Sequence, residues 1–118
     1  MKRYKWRQIL ALLVLSAAFG RTASAASSLS DLNVFPNPAR VYNGESTITF
    51  NNLTDQVKIL ILDANAHIVR EVELDSSGSA YVWDLTNNEG SKVASGVYVY
   101  VVGNNAGEKR RGKVAILR

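Results

Sequence analysis

Downstream of residue 25 the chain alternates between short apolar runs and polar turns, with no helical period. Residues 31–35 form a first run, closed by Pro36, Asn37 and Pro38. Proline has no N–H to give to a ladder, so a strand is expected to stop there. In residues 46–51, Ile48 and Phe50 alternate with Thr47 and Thr49, the two-residue period of a strand with one buried face. Residues 56–63 are almost wholly apolar, which predicts a central strand covered on both sides. In residues 67–74, Ile68, Val72 and Leu74 share a face that Arg70 interrupts. Runs at 79–85, 96–102 and 108–117 complete the set, separated by Asn, Asp, Ser and Gly, the residues that build turns.

The segment 81–102 carries the most architecture. Trp83 closes one run and Gly96 opens the next, with Asn87, Asn88 and Gly90 between them. Val97, Val99 and Val101 fall on one face of the second run, and Tyr98 and Tyr100 on the other. In the last run Val114 and Ile116 face one way and Lys113 the other. The expected core therefore includes Trp83, Val97, Val99, Val114 and Ile116. Seven short strands at this spacing predict an all-β fold, a single seven-stranded immunoglobulin-like β-sandwich.

The first 25 residues have a different character. Lys2, Arg3, Lys5 and Arg7 precede an apolar run over residues 9–19, and Ala23, Ser24 and Ala25 follow, the order of a secretory signal peptide and its cleavage site. An apolar run of 11 residues falls short of the roughly 20 needed to span a bilayer. The expected organisation is a cleaved signal peptide at 1–25 and one domain at 26–118, exported to the periplasm, cell surface or medium, with no stable membrane insertion after cleavage. Cleavage also changes the charge. The whole chain has a net charge of +4, but five of its 14 basic residues lie in the leader, leaving 9 against 10 acids. That balance removes the usual electrostatic argument for nucleic acid binding. The chain has no cysteine, so the exported domain relies on its apolar core. Thiol nucleophiles, redox pairs and zinc–thiolate sites are excluded.

The mature region resembles the Ig-like domain of the flagellar hook-capping protein and the related type IX secretion sorting domains. The resemblance runs over residues 32–118. It rests on Val34, Phe35, Pro36, Asn37 and Pro38; on Ile48, Thr49 and Phe50; on the central run 57–64; on Val82, Trp83 and Asp84 with Gly90 six residues later; on residues 94–98, ending Gly96, Val97, Tyr98; and on the closing run 113–118. Ala66 stands where the family usually has Gly, which implies a different turn type. The resemblance implies an Ig-like fold and a protein partner in the envelope or export apparatus. It makes Pro36, Asn37, Pro38, Gly96, Tyr98 and Lys113 the candidate sorting or docking residues.

Other candidate chemistry is weaker. Residues 84–90 place oxygen ligands at alternate positions, but Glu89 and Ser95 stand where a calcium loop of the EF type has its Gly and its bidentate Glu. A polar turn is the better reading. His67 is the only histidine and has no nucleophile or carboxylate aligned with it by sequence. Lys109, Arg110, Arg111 and Lys113 form a basic run, either a contact for anionic envelope polymers or a charged strand that resists edge-to-edge aggregation. The sequon at Asn52, Leu53 and Thr54 carries no weight. No catalytic, cofactor-binding or metal-binding residue is expected.

These readings converge on a non-enzymatic exported module that docks to, or is sorted by, envelope machinery. An alternative keeps the fold as a free-standing adhesion or assembly subunit, because no cargo domain is expected ahead of it. A small hydrolase ranks last, with no GxSxG-type nucleophile motif.

Overall fold

The computed structural model describes residues 28–75 and 80–118. The signal peptide expected at residues 1–25 lies outside the described residues. Among those described, eight strands form two sheets: β1 (Asn33–Phe35), β2 (Ala39–Arg40), β3 (Ile48–Asn51), β4 (Gln56–Leu62), β5 (Ile68–Asp75), β6 (Ala80–Trp83), β7 (Gly96–Asn104) and β8 (Lys109–Leu117). One sheet runs β1-β3-β6 and the other β2-β8-β7-β4-β5. All pairings are antiparallel except β2 with β8.

The eighth strand corrects the expected seven. Pro36, Asn37 and Pro38 do more than end β1: they carry the chain from the small sheet to the large one, where Ala39 and Arg40 pair with Ile116 and Leu117. Two residues are too few to show alternation, so β2 leaves no sequence signal. The first run is also shorter than expected. Leu29–Asp31 is a 3₁₀ turn capped by the Ser28 hydroxyl, which accepts from the Ser30 N–H at 3.1 Å.

The two inner faces close on each other. Ile48, Phe50 and Trp83 come from the small sheet, and Val57, Ile59, Ile61, Tyr98, Val102, Val114 and Ile116 from the large one. Trp83 is fully buried and its indole N–H donates to the Thr86 carbonyl at 2.8 Å, which removes the cost of burying a polar atom. Phe50 meets Tyr100 edge-on, with centroids 5.4 Å apart, and Tyr98 meets Trp83 in the same manner at 6.1 Å.

Three expectations about faces are corrected. Val97 and Val99 are not core residues: Val97 is 51% exposed and Val99 is half-buried, both on the outer side of the large sheet. Tyr98 and Val102 turn inward instead, because Tyr98 is paired with Val114 and its hydroxyl donates to the Ala94 carbonyl at 2.7 Å. A satisfied hydroxyl lets the ring be buried, and alternation alone does not tell which face that is. Strand β4 is central but has one buried face, since Lys58 is exposed and Leu60 and Leu62 are half-covered. A register shift at Ile61 and Leu62 splits β5: Ile68 pairs with Leu62 on the outer face, while Arg70 pairs with Ile61 on the inner one. There the Arg70 guanidinium donates to the Asn87 carbonyl at 3.0 Å.

Candidate functional site: the seam at the end of β8

The crossing between the sheets is fastened to the last strand by one side chain. Asn37 Nδ2 donates to the Lys113 carbonyl at 2.9 Å, and Asn37 Oδ1 accepts from the Ala115 N–H at 3.1 Å. The amide thus bonds as a neighbouring strand would, one step before β2 takes over at Ile116. On the other side of β8, Gly96 pairs with Ile116 and Tyr98 with Val114. All six candidate docking residues therefore gather around residues 113–116. Asn37, Gly96 and Lys113 are exposed there, and Pro36 and Pro38 are half-buried. Tyr98 differs from the rest: only 6% exposed, it supports the seam from inside the core. Burial, chiefly, pushes its hydroxyl pKa up.

At the chain end, the Arg118 N–H donates to Ser95 Oγ at 2.9 Å and its Nε donates to the Val93 carbonyl at 2.7 Å. The terminus is thereby tied to the loop before β7. Val97 and Leu117 are exposed beside it, giving the seam an apolar rim around a Lys ammonium.

The loop after Trp83 is a hydrogen-bonded turn. Asn87 Oδ1 accepts from the N–H groups of Glu89 and Ser91, and Asn88 Oδ1 accepts from the Glu71 N–H. Asp84 Oδ1 accepts from the Thr86 hydroxyl, which holds the Asp84 carboxyl below its usual pKa. The Asn87 and Asp84 oxygens are engaged by the loop's own donors and the Asn88 oxygen by β5, and among the described residues no group of three His, Asp or Glu is placed to hold a metal. His67 is exposed, with Nδ1 3.5 Å from Asp63. Asp63 Oδ1 also accepts from the N–H groups of Asn65 and His67, and its pKa is lowered, chiefly by the latter. Ala66 sits at φ 68°, in the left-handed region that favours Gly.

Sequence reasoning missed the outer face of the large sheet. Leu60, Leu62, Val99 and Val101 form a half-covered apolar stripe there, between charged columns on β8 and β5. The alternation of Lys58, Leu60 and Leu62 against Val57, Ile59 and Ile61 held the signal, but a nearly continuous apolar run obscured it.

The FlgD Ig-like domain family matches residues 40–108. The chain belongs to that family. The match starts just after the Asn37 crossing and ends at the turn into β8, so the seam is built where the FlgD Ig-like core meets its flanking segments. Structural similarity extends further. PorZ, described as an essential bacterial surface component of the type IX secretion system of Porphyromonas gingivalis, superposes with a TM-score of 0.66 at 25% identity over 81% of this chain. Dimeric latent PorU from the same organism superposes with a TM-score of 0.54 at 27% identity over 73% of it. This chain covers 13% of PorZ and 9% of PorU, a small part of each. No curated protein sequence matches the chain.

Proposed function

We propose that this FlgD Ig-like domain is a non-catalytic docking module of the cell envelope, recognised by secretion or assembly machinery at the seam formed by Asn37, Gly96 and Lys113. The observation that carries this reading is the convergence of those residues on the end of β8 through the two Asn37 hydrogen bonds. Membership of the FlgD Ig-like family, and likeness to PorZ, a surface component of a type IX secretion system, support a role in secretion or assembly. A rigid sheet with a short partner strand presents a fixed arrangement of one cation, a polar amide and an apolar rim, the elements of protein–protein docking.

Lys113 suits a direct test because its side chain is exposed and only its backbone carbonyl is used in the fold. A photo-crosslinking side chain placed at Lys113 in producing cells is expected to give a discrete adduct heavier than two copies of the chain, distinct from any adduct between two copies. The same group at Ala106, exposed in the turn between β7 and β8 at the other end of the sheet, gives no such adduct. No adduct heavier than two copies at Lys113, or the same heavier adduct from both positions, overturns the reading.

A further inference from the structure

The outer face of the large sheet has an ordered charge pattern whose β8 cations have no ion pair among the described residues. Cα register places its residues in rows across β8, β7, β4 and β5. One row reads Lys109, Gly103, Lys58, Glu73; the next Arg111, Val101, Leu60, Glu71; the third Lys113, Val99, Leu62, Ile68. Directly paired residues project to the same face. The face therefore has a cationic column on β8, an apolar centre on β7 and β4, and an acidic column on β5. Among the described residues, Lys109, Arg111 and Lys113 make no ion pair, while Lys58 lies 3.1 Å from Glu71 and 3.9 Å from Glu73. Three strand spacings of about 4.8 Å separate the two outer columns by roughly 14 Å, beyond the ~8 Å over which exposed charges interact at physiological salt. The cations of β8 cannot be neutralised by the acids of their own sheet.

We propose that this face docks a second copy of the chain, sheet on sheet, about a two-fold axis that runs along the strands between β7 and β4. That axis brings β8 over the partner's β5 and β7 over its β4, and it keeps each row opposite itself. Arg111 then meets Glu71 of the partner subunit, and Lys109 meets the partner's Glu73. Leu60 packs on the partner's Val101, and Leu62 on the partner's Val99. Lys58 lies over Gly103 of the partner subunit, which leaves space for it by having no side chain. Each contact occurs twice, as an isologous interface requires. The rotation of about 30° usual between aligned sheets displaces the charged columns by roughly one residue, within reach of Lys and Arg side chains. Ile68, at 52% exposed, meets the aliphatic stem of the partner's Lys113. The inference uses the sheet register alone and stands whether or not the seam is a docking site.

Charge reversal tests the pairing. By sedimentation velocity, the purified full chain is expected to dimerise. Arg111→Glu alone and Glu71→Arg alone each place like charges in opposition and are expected to weaken the dimer by tenfold or more in Kd. An equimolar mixture of the two variants is expected to recover association, because both cross-pairs are then of opposite sign. Both positions are exposed, so unchanged circular dichroism and melting midpoints show that the fold is kept. A wild-type chain that stays monomeric up to about 100 µM overturns the proposal. So does a dimer indifferent to both substitutions, or a mixture no tighter than its components.

Discussion

The Asn37 side chain holds the Lys113 carbonyl at 2.9 Å and, through its other amide atom, the N–H two residues on. One residue of a turn thereby completes the edge of a strand at the far end of the sequence. Asn37→Ala removes two hydrogen bonds worth roughly 0.5–1.5 kcal/mol each and should lower unfolding free energy by about 1–2 kcal/mol in a urea melt. Asn37→Asp keeps the acceptor but sets a carboxylate against the Lys113 carbonyl, so it should recover little. Equal midpoints for all three proteins would show that the crossing is held by β2 alone.

Trp83 is the largest fully buried side chain, and it fills the space between the sheets with no disulfide to assist. Trp83→Ala is expected to cost about 3–5 kcal/mol, a large share of the stability of a domain this size. Trp83→Phe should cost less, yet still leave the buried Thr86 carbonyl without its indole donor. Denaturant midpoints order the three proteins, and a harmless Trp83→Ala would contradict the packing described.

Ala66 occupies φ 68°, where a Cβ costs about 1–2 kcal/mol. Ala66→Gly removes that strain against a backbone-entropy penalty of roughly 0.5–1 kcal/mol. The expected result is a gain of up to about 1 kcal/mol by urea melt. A clear loss would show that the turn between β4 and β5 does not hold this conformation.

Glu108 links three parts of the fold. Its carboxylate accepts from the Leu29 N–H, the Ser28 hydroxyl and Asn104 Nδ2, and these bonds, the first most of all, lower its pKa. Because the folded pKa lies below the unfolded one, the stabilisation is fully present above the unfolded value, about 4.3. It is lost as pH falls through the folded value. Glu108→Gln should therefore lower the melting temperature at pH 7, and the two curves should converge in acid. A difference that persists unchanged to pH 2–3 would contradict the linkage.

The strands were legible wherever a run alternated with polar residues, as in Ile48 and Phe50, and turns wherever Asn or Gly marked them. What stayed hidden was set by pairing partners far away in the chain. The inward face of β7 depends on the pairing of Tyr98 with Val114 and on an acceptor at Ala94, neither of which periodicity reveals. Strand β2 exists because Ala39 and Ile116 are brought together across 77 residues of chain. Gly112 gave no signal at all. A Cβ there would come within 2.6 Å of Tyr100 Cζ, and Tyr100 is the ring that closes on Phe50. The candidate site was legible as a set of residues through resemblance; that they share one seam, with Tyr98 behind it, required the fold.

Recognition of this fold by secretion machinery is tested most directly by transplanting it. Residues 26–118 are fused behind a periplasmic reporter in a host with a type IX secretion system, alongside a Lys113→Glu version. The reporter is expected to reach the cell surface or medium, and Lys113→Glu, folded by circular dichroism, is expected to hold it back. A reporter that remains in the periplasm with the unaltered domain would contradict it.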